Sequence, residues 1–239
     1  KKEKMETIQI ILLCICAVLA IAFMVIRAKF GGLGAMLLKA LASLGFVASA
    51  VVSMGLMDVD QDTRLVLSLI TLGLILGMLG DILLDLKVIY DNDTIYLNSG
   101  MLCFGLGHLA YFSAFSLRAI HLGCDLMMPI LVSLGACIVM TLAIVFSSKK
   151  MKLDFGNYLW QTIAYTLILS FMTVYTLILV IMGGAHVLTF VGMLLFFLSD
   201  VVLSLQYFGG KLQSKFLIVV NHTLYYAAQI IILSTLMIM

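Results

Sequence analysis

Two aspartates stand inside apolar runs of this chain, Asp81 in LGDILLDL and Asp200 in FFLSDVVLSL. A carboxyl group taken out of bulk water either holds a cation or moves a proton. A protonated carboxyl can deliver a proton to a substrate and leave a cation. An ionised one can stabilise the resulting cation and activate water against it, and two carboxyls in different surroundings can divide these roles. Lys39, His108, Tyr165, Asn221, His222, Tyr225 and Gln229 also interrupt apolar runs. Lys39 has the charge to pair with a carboxylate. The others have donors and acceptors to orient water or a carboxylate, or to bind a phosphate. Asp85 lies near Lys87 and the end of its run, and reads as a solvated boundary residue.

These residues must be positioned by helices in a membrane. The chain has 239 residues, 64% apolar and only 11% charged, with a mean hydropathy of +1.21. A soluble domain needs far more polar surface. Eight segments reach the ~20 apolar residues a spanning helix requires: 8–26, 35–57, 65–86, 97–117, 126–147, 158–182, 187–207 and 216–239. The expectation is an all-α membrane protein, one domain over 1–239, with eight transmembrane helices in one bundle and a polar pocket in one half. The first run is long and lacks a small-residue cleavage site, so it reads as a span rather than a signal peptide. Short connections such as DVDQDTR, DNDT and SSKKMKLD hold most of the charge. Pro129, the single proline, falls in a first helical turn, where its missing N–H costs little. The five cysteines form no metal-binding or redox spacing and read as small apolar residues. A net charge of +2 gives no reason to expect nucleic acid.

Basic residues set the orientation. With eight spans both termini share a side, which carries Lys1, Lys2, Lys4, Arg64 and Arg118. The other side carries Arg27, Lys29, Lys87, Lys149, Lys150, Lys152, Lys211 and Lys215, and is read as cytoplasmic. Helices then alternate in direction, and Lys39, Asp81, Tyr165, Asp200, Asn221, Tyr225 and Gln229 all fall in the cytoplasmic half or near the midplane, with His108 about midway. Each such group costs ~2.5–3.5 kcal/mol to insert if ionised, so a shared depth points to a shared task. Faces agree with this. Gly73, Gly77, Asp81 and Asp85 recur every four residues, as do Asn221, Tyr225 and Gln229. The glycines allow close helix approach.

Plainer readings stand beside the catalytic one. Asp81 and Asp200 could pair with Lys39 as structural glue, and His108 could be a satisfied hydrogen-bonding residue. Tyr225 and Gln229 could serve packing alone. His121 and His186 sit at span ends and read as uninvolved.

In order along the chain, LLKALASL, GDILLDL, GMLCFGLGHLAYFSAF, AYTLILSFM, GMLLFFLSDVVLSL and TLYYAAQIIILS resemble the blocks of the YhhN-like lysoplasmalogenases. A proline that often follows the family lysine is absent here. The resemblance implies an eight-helix membrane hydrolase. Its substrate would be a lysoplasmalogen, a single-chain glycerophospholipid with an sn-1 vinyl ether. Its products would be a fatty aldehyde and glycerophosphoethanolamine or glycerophosphocholine. It implies Asp81 and Asp200 as catalytic residues, without saying which is the acid. No cofactor or metal is expected. The implied partners are the lysolipid and membrane lipids, and the compact chain suits a bacterial cytoplasmic membrane.

Three other readings compete. A zinc amidase needs about three protein ligands, commonly His, and only His108 and His222 are near the polar layer. A serine hydrolase would need a GxSxG elbow, which the sequence lacks. A small-molecule or lipid transporter or binding protein could use the Asp/Lys/His cluster without chemistry.

Overall fold

Backbone N–H and C=O groups have no water to bond in hydrocarbon, so an apolar chain satisfies them internally as helix. The computed structural model describes residues 2–90 and 94–235. It is all-helical there: α1 Lys2–Lys29, α2 Gly32–Leu56, α3 Gln61–Ile89, α4 Thr94–His121, α5 Met127–Lys150, α6 Leu159–Ile181, α7 Val187–Tyr207 and α8 Lys215–Thr235. A short 3₁₀ turn, Gly156–Tyr158, precedes α6. All eight helices are long and apolar enough to cross a membrane, and the chain is an integral, multi-pass membrane protein. Lys1, Asp91, Asn92 and Asp93 of the DNDT connection, and the last four residues of the eighth expected span lie outside the described residues.

The helices follow the expected spans but overrun several of them. α3 continues to Ile89 rather than stopping at Leu86, and α4 extends to His121. Hydropathy marks where a helix leaves the apolar layer. The backbone ladder continues past that point. α2 runs unbroken, as the missing proline would predict. Pro129 occupies the first turn of α5. His186 turns out to cap α7, its Nδ1 accepting from the Leu188 N–H at 3.3 Å. All five cysteines are free thiols.

The chain forms two compact units. Unit 1 comprises 1–114 with 229–239, and unit 2 comprises 115–228. In unit 1, α1 meets α2 where the Cys16 sulfur fills the notch left by Gly45. α3 lies close against α4. A Cβ on Gly73 would enter the Tyr111 ring, and one on Gly80 would come within 2.6 Å of the Phe104 ring. Gly107 approaches the Gly73 carbonyl at 3.2 Å by the same measure. The small-residue contact foreseen for α3 therefore exists, and its partner is α4.

In unit 2, the Phe155 and Phe208 rings meet edge to face at 4.9 Å. The Asp154 N–H donates to the Phe208 carbonyl at 2.8 Å, fixing the entrance to α6 against the end of α7. Ser116 and Tyr175 share a buried hydroxyl–hydroxyl bond of 2.6 Å between α4 and α6. Large apolar side chains such as Ile15, Val18 and Ile21 on α1, and Val139 and Phe146 on α5, remain exposed. These are the faces a lipid environment would cover.

Candidate active site

The four-residue row on α3 does not stay on one line. At 3.6 residues per turn each step advances about 40° around the axis, so Gly73 faces α4 while Asp81 and Asp85 have rotated toward α2. There they meet Lys39. Its Nζ lies 3.2 Å from Asp81 Oδ1 and 3.6 Å from Asp85 Oδ1. Ser43, one turn beyond Lys39 on α2, donates its hydroxyl to Asp81 Oδ2 at 2.6 Å. The Lys39 ammonium also lies 5.9 Å from the centre of the Phe23 ring on α1, within range of a cation–π contact. Lys39, Asp81 and Asp85 are 5%, 2% and 6% exposed.

Asp85 is thus not the solvated boundary residue that its neighbour Lys87 suggested. α3 carries on past it, and its position one turn after Asp81 turns it inward onto the same ammonium. One of its oxygens, Oδ2, is buried without a hydrogen-bond partner among the described residues. Ser43 is a site residue that the sequence reading missed. Its signal was present, since Lys39 and Ser43 are four residues apart on one helix.

Both oxygens of Asp81 accept, one from an ammonium and one from a hydroxyl. That is the partner set of an ionised, acceptor-only carboxylate. Such a group costs much to bury and holds its place only because its counter-charge is buried with it.

Unit 2 holds Asp200 differently. The Tyr165 phenol on α6 donates to Asp200 Oδ2 on α7 at 2.6 Å. The two residues singled out separately in the sequence are thereby brought together. Asp200 is only half-buried, whereas Asp81 is 2% exposed. Beside Asp200, Asn221 of α8 donates from Nδ2 to the Ser199 carbonyl at 2.6 Å. Tyr225 packs edge-on against Phe196, ring centres 5.4 Å apart. These two contacts lock α8 to α7 around Asp200.

His108 and Gln229 belong to unit 1 and are buried. His108 Nδ1 bonds the Phe104 carbonyl one turn back at 2.8 Å, and its ring meets Tyr111 edge-on at 6.0 Å. His222 repeats the same device with the Ile218 carbonyl at 2.7 Å. At Nδ1, both histidines are tied to their own helices.

The fold and site define an all-helical, multi-pass membrane protein with a buried ammonium–dicarboxylate cluster in one unit and a half-buried, phenol-bonded carboxylate in the other. The chain belongs to the YhhN family, which matches residues 34–236, from the first turn of α2 through the end of α8. No curated protein and no solved structure matches it.

Proposed function

We propose that this protein is a lysoplasmalogenase, cleaving the sn-1 vinyl ether of a lysoplasmalogen with Asp81 and Asp200 as its working carboxylates. What carries the reading is that a member of the YhhN family buries an ion-paired carboxylate, Asp81, among apolar helices. The reaction asks for such a group. A proton added to the vinyl carbon remote from the ether oxygen leaves an oxocarbenium ion. Water adds to the cationic carbon and loses a proton, giving a hemiacetal. The hemiacetal then breaks its bond to the glycerol oxygen, releasing a fatty aldehyde and the glycerophospho-headgroup alcohol.

The contrast in partners supports a division of labour. Asp81, fixed by Lys39 and Ser43, is the anion that faces the oxocarbenium ion and takes the proton from water. Asp200, held by a neutral phenol on one oxygen, is the acid that delivers the first proton. Lys39 positions Asp81, while Tyr165 and Asn221 serve Asp200 and Tyr225 packs against Phe196 on the same helix as Asp200. His108 and Gln229 line the polar layer. The same reading puts the reaction in the cytoplasmic half of a bacterial cytoplasmic membrane, with the lysolipid and membrane lipids as its partners and no cofactor in the chemistry.

Purified protein in detergent, given a lysoplasmalogen and no ion gradient, should release aldehyde and glycerophospho-headgroup in equal amounts. It should leave a saturated lysophospholipid intact. Binding of both lipids with release from neither would replace the hydrolase with a carrier or lipid-binding protein.

A further inference from the structure

α1 lies outside the stretch that matches the family, yet it sends a charged side chain into unit 1. Cys16, Ala20, Phe23 and Arg27 recur at helical spacing and all four are buried, so Arg27 continues the packing face of α1 rather than its lipid face. It is 8% exposed, whereas Lys29, two residues on, is exposed. The chain turns immediately afterward. The Phe30 and Gly31 N–H groups both bond the Ile26 carbonyl, and Gly31 takes a left-handed φ of 64°. A Cβ on Gly31 would lie 3.6 Å from the Arg27 Nη1, so the guanidinium rests beside this bare backbone turn.

Arg27 makes no direct ion pair among the described residues. The ion pairs of the cluster run from Lys39 to Asp81 and Asp85. Among the described residues no carboxylate lies within 4.0 Å of the Arg27 guanidinium. Lys39 and its two carboxylates lie in the same unit as Arg27. A buried guanidinium without a direct ion pair keeps its donors for an anion that reaches it. A guanidinium offers a planar fork of donors that fits two oxygens of a phosphate at once. Arg27 lies in the last turn of α1, at the end of an apolar helix, where lipid phosphates are found.

We infer that Arg27 binds the phosphate of the lysolipid substrate, holding the headgroup at the end of α1. The identity of the ligand rests on the lysoplasmalogenase reading. The presence of an anion site at Arg27 does not.

The test uses the full-length purified protein, as wild type, Arg27→Gln and Arg27→Lys. Affinity is measured for a saturated lysophosphatidylethanolamine, for the matching monoacylglycerol that lacks the phosphate, and for inorganic phosphate. The expected result is that Arg27→Gln weakens lysophospholipid binding at least 10-fold and leaves monoacylglycerol binding within about twofold. Arg27→Lys should retain part of the preference. In turnover assays the loss should appear in KM, with kcat nearly unchanged.

A Gln variant that binds both lipids as wild type does would overturn the inference. So would one that loses both equally, since Arg27 would then only balance charge within unit 1. If the Gln variant does not fold, a wild-type protein that fails to prefer the phosphate-bearing lipid overturns it instead. Inorganic phosphate binding as tightly as the lysophospholipid would overturn the lipid assignment. Phosphate-dependent binding that requires Arg27, with no aldehyde released by any form, would support the site and sink the reaction.

Discussion

Asp81 and Asp200 are the same residue in similar apolar surroundings, and the two units treat them in opposite ways. Unit 1 gives Asp81 a full positive charge at 3.2 Å, a hydroxyl at 2.6 Å and a second carboxylate on the same cation. Unit 2 gives Asp200 a phenol at 2.6 Å and leaves it half-buried. A cationic partner fixes a carboxylate as an anion in one place. A neutral donor orients a carboxylate without bringing a counter-charge to it. The difference teaches that the two aspartates are not interchangeable halves of a pair. The sharpest experiments are those that treat them as alike and find that they differ.

The largest effect is expected from replacing either one. Asp81→Asn and Asp200→Asn should each lower kcat by roughly 10²–10⁴-fold, with Asp200→Asn keeping a near wild-type melting temperature in detergent. Their residual activities should then split by pH. An acid must be protonated, so its contribution is lost as pH rises, and a base must be ionised, so its contribution is lost as pH falls. The Asp200 variant should therefore lose the alkaline fall in kcat and keep the acidic one. The Asp81 variant should do the reverse. Identical pH profiles in the two variants would end the division of roles, and near wild-type turnover in either would end its catalytic assignment.

Next in size is the stability of unit 1. Lys39→Met strands two buried carboxylates without their direct ion-pair partner, and breaking a buried pair from one side costs about 3–5 kcal/mol. Its melting temperature should fall steeply. Adding Asp81→Asn and Asp85→Asn to it removes the stranded charges, so the triple variant should regain most of that stability while remaining inactive. Asp85→Asn alone should destabilise less than Lys39→Met, because Asp81 still holds the ammonium. A Lys39→Met protein that melts like wild type would show that the cluster is not the ion-paired unit described above.

Much of this was legible in the sequence, and the failures have a common cause. The spans were visible because apolar length is a physical requirement of the bilayer. The catalytic candidates were visible because an ionisable residue inside a span needs a reason to be there. Asp85 was misread because its neighbour in sequence, Lys87, was allowed to stand for its neighbours in space. On a helix, residues two apart face different ways, while residues four apart nearly align. Applied consistently, the spacing that grouped Asp81 with the glycines would also have turned Asp85 toward Lys39 and placed Ser43 beside it. Arg27 was read only for its side of the membrane, although its place in the row with Cys16, Ala20 and Phe23 carried the other half of its meaning. What no spacing contains is the choice of partner. That Tyr165 would donate to Asp200 depends on how α6 packs against α7.

That choice of partner also sets the smallest effect. Tyr165→Phe removes only the hydroxyl that donates to Asp200 Oδ2 and leaves the ring to pack. A hydrogen bond to a carboxylate is worth about 1.5–3 kcal/mol at most in such settings. If the phenol only orients Asp200, part of that is recovered when water takes its place beside a half-buried residue. The expected loss in kcat is therefore about 10-fold, with KM nearly unchanged. The informative comparison is the double variant. In a Tyr165→Phe, Asp200→Asn protein the phenol no longer has a catalytic carboxyl to position, so activity should be no lower than with Asp200→Asn alone. A further full 10-fold drop would mean that Tyr165 acts on the substrate independently of Asp200. The phenol would then be a third catalytic group rather than the residue that distinguishes one aspartate from the other.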